Sequence, residues 1–362
     1  MRFAARKRLP RWPLPRVLAY AVPIALVSGA VYVRASEWLD HRRFTQVGRS
    51  VDIGGRSLNI YCSGTGSPTV VFESGYGFPG YNWILVQPEV AKFTQACWYD
   101  RAGNGWSDPA PGLRFSDSVA HDLHALLRAV RIPGPHVLVG HSIGAFHVRV
   151  FNSFYPKDVA AIVLVDPSNE DVATKIPDMP RARPPSIPPA VVHAVDETLR
   201  QLGVWRLLTR DLGPRPARVS ASDWEVISSL RRSMKAQRAA AQEAPEAGSA
   251  AIARVATGLD SVPLIVLTRG QRFPFPDTAY GNRLLTQWIA LSGDLARRSV
   301  FGKQIVVAGS GHFVQLNEPG AVVEAVREQV ERVRQAGRSP NRELELTRSG
   351  HSSKVAPSRP AK

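Results

Sequence analysis

The segment from Leu138 to Ala145 carries a serine between two glycines, in the pattern Gly-x-Ser-x-Gly, directly after an apolar strand. A strand that turns this sharply into a helix holds its central residue in a strained conformation, and flanking glycines prevent collisions there. Such a turn exposes the hydroxyl of Ser142. It also directs the first N–H groups of the helix toward the attacked group, where they stabilise a developing oxyanion. The pattern therefore predicts a nucleophilic serine.

A serine at neutral pH is a weak nucleophile and needs a general base. His312 lies in the loop Gly-Ser-Gly-His-Phe-Val, residues 309–314, just after the apolar strand 305–308. Taken alone, such a histidine would more often cap the next helix or face solvent. A glycine-flanked position at a strand end also lets it reach into a site, and the chain order Ser142 then His312 favours the role of base.

The third member of such a system is an acid that orients the imidazole and stabilises its charged form. Two aspartates compete for this role. Asp166 directly follows an apolar strand, so its carboxylate emerges at the same sheet edge as Ser142. Asp277 follows the apolar strand 263–268, but the loop 269–276 lies between them. We favour Asp166 and keep Asp277 as the alternative acid.

Two further stretches complete a family pattern. Residues 70–77 read VVFESGYG, and residues 98–108 read WYDRAGNGWSD. With the serine turn and the Gly-His loop, they resemble in order the α/β-hydrolase superfamily, and within it the capped esterase-like and proline-iminopeptidase-like proteins. The resemblance covers about residues 44–335. It implies an α/β fold in which a mostly parallel sheet is flanked by helices and a helical cap is inserted between strands six and seven.

The resemblance also implies roles for individual residues. Ser142 would be the nucleophile and His312 the base, and the backbone N–H groups of Tyr76 and Ile143 would form the oxyanion hole. The family usually begins its oxyanion loop with His-Gly, and Glu-Ser at residues 73–74 departs from that pattern. Most members place the acid after the penultimate strand, but some place it after the preceding strand, which matches Asp166.

A serine at this turn indicates an acyl-enzyme, because dehalogenases and epoxide hydrolases of this fold attack with an aspartate. We therefore predict a serine hydrolase for a small-molecule ester, without a metal or organic cofactor. Three alternatives stay open. An aminopeptidase-like enzyme would need cap acids to hold an amino terminus, with Glu225, Glu243 and Glu246 as candidates. Carbon–carbon bond hydrolysis by the same triad and a non-catalytic membrane-anchored binding protein are the others.

The cap is predicted from the length of one connection. About 95 residues separate Asp166 from the next strand, far more than a usual connection. Residues 167–262 are therefore assigned to the cap, whose entry is stiffened by six prolines between positions 177 and 189. Three stretches have helical spacing: 190–209, 221–242 and 249–257.

The amino-terminal residues 1–35 form a different segment. Residues 17–33 are an uninterrupted apolar run, close to the lower limit of about 17–25 residues for a membrane-spanning helix. Basic residues precede it, and such residues stay on the cytoplasmic side. We expect a membrane anchor with the catalytic domain, residues 44–335, in the periplasm or outside the cell. A cleaved signal peptide that releases a secreted protein is the alternative.

Both cysteines bear on this localisation. Cys62 and Cys97 lie on strands that are neighbours in the fold implied by the resemblance. A disulfide between them would persist only in an oxidising compartment. Two buried, inert thiols are the alternative reading.

The formal net charge of +16 does not indicate a nucleic-acid partner. Much of the excess lies before the apolar run and in the tail 336–362, instead of in a patch interleaved with aromatic residues. Basic ends beside a membrane are better suited to anionic lipid head groups. The tail is rich in Ser, Pro and Arg and is predicted to be disordered.

Overall fold

Within residues 14–180, 188–208, 214–243 and 246–338, which the computed structural model describes, eight strands form one sheet. Their order is β1-β2-β4-β3-β5-β6-β7-β8; β2 pairs antiparallel with both neighbours, and the other pairings are parallel. The strands are β1 (Arg49–Asp52), β2 (Ser57–Ser63), β3 (Val70–Glu73), β4 (Ala96–Tyr99), β5 (His136–His141), β6 (Val159–Val165), β7 (Leu264–Arg269) and β8 (Gly302–Val307).

The helices of the described residues include those that cover both faces of the sheet, those of the inserted cap and one amino-terminal helix. They are α1 (Leu14–Arg43), α2 (Gln87–Val90), α3 (Ser116–Ala129), α4 (Gly144–Phe154), α5 (Val172–Lys175), α6 (Pro189–Gln201), α7 (Val204–Leu208), α8 (Ala221–Arg232), α9 (Met234–Glu243), α10 (Glu246–Val255), α11 (Thr278–Ala296), α12 (Val314–Asn317) and α13 (Pro319–Arg338). Short 3-10 turns occupy Gly80–Trp83 and Pro156–Asp158. The predicted architecture, including a helical insertion between strands six and seven, is confirmed.

The central strands are apolar on both faces because each face packs against helices. Every residue of β3, β5 and β7 is buried. One core layer places α3 and α4 against the sheet, and the opposite layer places α2 and α13 there. Burial on both sides fixes the ends of β3, β5 and β6, and pairing with β7 fixes β8, so the residues that follow these strands meet at one edge of the sheet.

The cap comprises α5 to α10, and two of its predicted helices are divided in the structure. The stretch 190–209 breaks at Gly203, whose φ of +71° is a left-handed conformation that glycine adopts without strain. A Cβ there would also lie 2.8 Å from the ring of Tyr32 on α1. The stretch 221–242 breaks at Ser233, which has an extended backbone and accepts a hydrogen bond from the N–H of Ala236 at 3.2 Å.

Helix α1 continues beyond the apolar run and packs against the cap. Glu37 Oε1 accepts a hydrogen bond from the backbone N–H of Met234 at 2.6 Å. Asp40 pairs with Arg206 of α7. The part of this helix from Ala19 to Arg43 is, by length and composition, able to cross a membrane. Residues 1–13 lie outside the described part of the chain.

The two cysteines are joined. β2 and β4 pair antiparallel with Cys62 directly opposite Cys97, and their sulfurs form a disulfide. At the other end of the chain, α13 extends to Arg338, three residues into the predicted tail 336–362. Residues 339–362 lie outside the described residues.

Candidate active site

Ser142 occupies the sharp turn between β5 and α4, with a φ of 54°. The glycines on both sides are required by close packing. A Cβ on Gly140 would lie 2.6 Å from the carbonyl oxygen of Gly144, and a Cβ on Gly144 would lie 2.9 Å from the carbonyl oxygen of Glu73. The strained turn leaves Ser142 partly exposed at the carboxyl edge of the sheet.

His312 lies on the loop after β8 and faces the serine. Its Nε2 is 3.0 Å from Ser142 Oγ. The loop is held by His141, whose Nε2 lies 2.9 Å from the carbonyl oxygen of His312. Because Gln315 Nε2 lies 3.3 Å from His141 Nδ1, the consistent assignment has Nδ1 accept from that amide and Nε2 donate to the carbonyl.

His141 is kept neutral. Burial, and to a smaller extent the charge of the neighbouring His312, lower the pKa of His141 to about 3. A second imidazolium beside His312 would oppose the positive charge that a general base must accept. His141 therefore holds the backbone carbonyl of His312 by a side-chain hydrogen bond and adds no positive charge beside it.

Asp166 follows β6 and completes a continuous chain of hydrogen bonds. Its Oδ2 lies 2.7 Å from His312 Nδ1. Asp277, the alternative acid, does not reach this site. It is the N-terminal cap of α11, where its Oδ1 accepts a hydrogen bond from the N–H of Tyr280 at 3.0 Å. The structure thus brings together Ser142, His312 and Asp166.

Two further partners of Asp166 are absent from the sequence analysis. Trp288 Nε1 donates to Oδ1 at 2.9 Å, and Arg269 donates from its backbone N–H to Oδ1 at 3.0 Å and from Nε to Oδ2 at 2.8 Å. Burial by itself raises the pKa of Asp166, but His312 and Arg269 together hold it well below its ordinary value. The carboxylate is therefore ionised and oriented on both oxygens. The sequence held a signal for one of these two partners, because Arg269 is the last residue of the next strand, β7.

The predicted oxyanion donors lie on two segments that adjoin Ser142. Tyr76 lies in the loop after β3, and Ile143 precedes the first residue of α4. Among the described residues, no acceptor takes up the backbone N–H of either one. Two free donors beside an exposed serine are suited to bind a developing negative charge.

The loop that carries Tyr76 is held by a buried arginine. Arg101 donates to the carbonyl oxygens of Ser74 at 2.7 Å and Gly75 at 2.9 Å. The same guanidinium pairs with Glu243 at the end of cap helix α9, with Nε 2.8 Å from Oε1 and Nη2 2.9 Å from Oε2. One side chain therefore connects the cap to the oxyanion loop.

Glu73, where the family pattern differs, belongs to this buried cluster. Its Oε1 lies 2.5 Å from Arg101 Nη1 and 3.2 Å from His147 Nδ1, and its Oε2 accepts a hydrogen bond from the hydroxyl of Tyr99. Burial would raise the pKa of Glu73, but the charge of Arg101 and then His147 bring it below the ordinary value. Where the family pattern has His-Gly, this chain thus has a buried carboxylate, and the guanidinium of Arg101 pairs with its negative charge.

A cavity of about 630 Å³ opens at Ser142 and His312. Its apolar lining comprises Phe146, Val172, Met179, Phe273 and Trp288. Of the three cap acids, only Glu246 lines it. Glu225 pairs with Arg43, and Glu243 pairs with Arg101.

Comparison with known proteins agrees with this fold. Residues 70–325 match the sequence model of the alpha/beta hydrolase family, and the chain belongs to that family. Among solved structures, an esterase from Thermogutta terrifontis superposes with a TM-score of 0.53 at 22% identity, covering 80% of this chain and 99% of that one. The enol-lactonase from Burkholderia xenovorans superposes with a TM-score of 0.55 at 15% identity, covering 78% and 100%. These two likenesses show the fold alone.

Curated relatives match shorter regions. An uncharacterised Bacillus subtilis protein is 29% identical over 162 residues, which are 43% of this chain and 50% of that protein. The 2-hydroxy-6-oxo-2,4-heptadienoate hydrolase of Pseudomonas putida is 32% identical over 124 residues, 33% of this chain and 44% of that enzyme. The chain thus spans about half or less of the length of these relatives.

Proposed function

We propose that this protein is a serine hydrolase that cleaves a carboxylic ester through an acyl-enzyme. The observation that supports this most strongly is the continuous contact from Asp166 through His312 to Ser142, with distances of 2.7 Å and 3.0 Å. The apolar lining of the adjoining cavity favours an acyl or alkyl group without charge at that position.

In this mechanism His312 Nε2 takes the proton of Ser142 Oγ as the hydroxyl attacks the ester carbonyl. The carbonyl oxygen becomes an oxyanion and accepts hydrogen bonds from the N–H groups of Tyr76 and Ile143. His312 then protonates the departing alcohol. Water, activated by the same imidazole, hydrolyses the acyl-enzyme and regenerates the serine. Asp166 stabilises the imidazolium in both steps.

The membrane-anchored location is part of the same proposal. The apolar part of α1 supplies the anchor, and the basic residues before it favour a cytoplasmic amino terminus. The disulfide between Cys62 and Cys97 is consistent with a catalytic domain in an oxidising compartment. Release after signal cleavage is the alternative.

Two other substrates have specific support. Glu246 in the cavity is the one cap acid of the three that is available to hold a peptide amino terminus. The partial likeness to the Pseudomonas putida hydrolase supports carbon–carbon bond cleavage. Both reactions would use the same serine, so the substrate must be decided by comparing turnover.

Labelling with a fluorophosphonate tests the nucleophile. The full chain in detergent should become labelled, Ser142→Ala should not, and Ser153→Ala at the far end of α4 should keep the label. Incubation with a p-nitrophenyl ester, followed by acid quench and mass spectrometry, should add one acyl group at Ser142. A folded wild-type chain that takes no label would favour the binding-protein alternative.

A further inference from the structure

A second cavity, of about 430 Å³, lies between the oxyanion loop and the cap. Tyr76 and Gly77 form its wall on the loop side, and α6, α7, α8 and α9 contribute the rest of its lining. The side chain of Tyr76 is 43% exposed. The same loop adjoins the serine one residue earlier, since a Cβ on Gly75 would lie 3.3 Å from the Cβ of Ser142. The cavity therefore lies next to the loop segment that carries a predicted oxyanion donor.

Arg231 of α8 lies in this cavity and is held in a fixed place. Its guanidinium carbon is 3.8 Å from the centre of the Phe78 ring. Its Nε donates to the carbonyl oxygen of Gly77 at 3.2 Å. These two contacts use one face and one donor of the guanidinium, and its two terminal nitrogens have no acceptor within the described part of the chain.

The other charges that line the cavity are matched. Arg200 and Asp196 both line it, and they pair with each other. Glu243 on α9 does not line it, and it shares Arg101 with Glu73. Arg231 has no carboxylate partner among the described residues, and burial lowers its pKa to about 10. It is still cationic at neutral pH, so the cavity carries one uncompensated positive charge.

We propose that Arg231 binds a carboxylate of the substrate, so that the preferred ester carries an acid group on the part that extends past Tyr76. The guanidinium is half-buried and has no carboxylate beside it, so a carboxylate that enters the cavity gains an ion pair in a partly desolvated place. Hydrogen bonds between arginine and carboxylate are short and charge-assisted, and the two terminal nitrogens can donate them together. This inference rests on the proposed ester hydrolysis and names the class of substrate.

Isosteric pairs of esters test the proposal, because they differ only in charge. One pair is mono-p-nitrophenyl adipate and its terminal amide, with the charge on the acyl side. The other is 3-carboxyphenyl butyrate and 3-carbamoylphenyl butyrate, with the charge on the leaving group. Wild type should prefer the acid in one pair, by about 10- to 100-fold in kcat/KM, the range expected for hydrogen bonds to a charged group.

Arg231→Met should abolish that preference, and Arg231→Lys should restore part of it. Arg238→Met is the matched control, because Arg238 is a cap arginine that pairs with Glu197, away from the cavity. It should keep the wild-type preference. A wild type without preference in either pair, or a preference that survives Arg231→Met, would overturn the proposal. An equal fall of kcat/KM for the acid and the amide of the preferred pair in Arg231→Met would also overturn it. Arg231 would then act only by holding the carbonyl oxygen of Gly77.

A second readout does not depend on turnover. Adipate should slow fluorophosphonate labelling of wild type at lower concentration than adipamide, and Arg231→Met should lose this difference. If wild type takes the label but adipate and adipamide compete equally, the carboxylate site is refuted while the serine hydrolase stands. If wild type takes no label and hydrolyses no ester, the proposed function itself fails.

Discussion

Asp166 receives hydrogen bonds from the side chains of His312, Trp288 and Arg269 at once. Its backbone, with a φ of 39°, is in the left-handed region that residues with a Cβ avoid. A strained backbone is maintained only where surrounding contacts determine it, and here these contacts aim the carboxylate at His312. The acid is thus positioned from two strand ends and from α11.

Asp166→Asn should lower kcat/KM for a p-nitrophenyl ester by about 10³- to 10⁴-fold, because the amide favours the wrong tautomer of His312. Steady-state kinetics measure this directly. Asp277→Asn retains a side-chain oxygen that can cap α11, and it should keep wild-type activity. A larger loss with Asp277→Asn than with Asp166→Asn would reverse the assignment of the acid.

His141 gives the protein a dependence of stability on pH. Its pKa is about 6.5 when unfolded and about 3 when folded, so between these values the unfolded chain binds a proton that the folded chain does not. Stability is therefore lost as pH falls below 6.5. At pH 5 this single group should reduce the free energy of unfolding by about 2 kcal/mol relative to pH 7.

Denaturant unfolding at pH 7, 6 and 5 measures this loss. His141→Gln should lower stability at pH 7 but should show a shallower decrease toward pH 5 than wild type. Burial also lowers the pKa of His136, so some slope will remain in the variant. Parallel pH dependences in wild type and variant would contradict the assignment.

At the scale of elements, the connection between the cap and the sheet passes through Arg101. This residue follows β4, contacts the oxyanion loop after β3, and pairs with Glu243 at the end of α9. Glu243 Oε2 also lies 3.4 Å from the N–H of Gly77. A shift of α9 would therefore also shift the loop that carries Tyr76, whose N–H is a proposed oxyanion donor.

Glu243→Gln should weaken this link while it preserves the shape of the side chain. We expect kcat to fall by about 10-fold with little change in KM, because oxyanion donors act mainly in the transition state. We also expect a loss of stability of about 2 kcal/mol, because hydrogen bonds to a charged group are weakened while Arg101 keeps Glu73 as its ion-pair partner. Kinetics and denaturant unfolding at one temperature measure both effects.

Glu197→Gln is the matched control, because it breaks a more exposed cap ion pair with Arg238. Its effect on stability should be at most about 1 kcal/mol, and kcat should stay at the wild-type value. Wild-type kcat in a destabilised Glu243→Gln would show that the pair holds the cap without positioning the oxyanion loop.

At the scale of the whole molecule, α1 joins the predicted anchor to the cap. Its apolar side chains stay exposed, including Tyr20, Ile24 and Val27, each more than 60% accessible. The same helix contacts the cap at Gly203 and through Asp40. Exposure of a long apolar helix is costly in water and favourable in a bilayer. The proposed anchor and the cap are therefore in direct contact.

The full chain should therefore sediment with membranes and resist extraction at high pH. Substituting two exposed residues of α1, Val22→Arg with Leu26→Arg, should shift it to the soluble fraction, because charges at the centre of a bilayer are costly. Leu113→Arg, at an exposed apolar site outside α1, should not. A wild-type chain found in the soluble fraction would contradict the anchor.

The sequence by itself determined the parts of this protein that depend on local patterns. The Gly-x-Ser-x-Gly turn at Ser142 and the glycine-flanked His312 are encoded within a few residues, because strain and close packing there restrict the residue types. The length of the connection after Asp166 indicated the inserted cap, and the family resemblance carried by these short motifs implied the mostly parallel sheet.

Only the tertiary structure decided which distant groups meet. Asp166 and Asp277 both follow apolar strands, and the sequence could not tell that Asp277 caps α11 while Asp166 reaches His312. The link from Arg101 to Glu243 spans 142 positions of sequence, and the unpaired state of Arg231 depends on where every nearby acid lies. Such relations are set by distance in space, and local pattern carries no information about them.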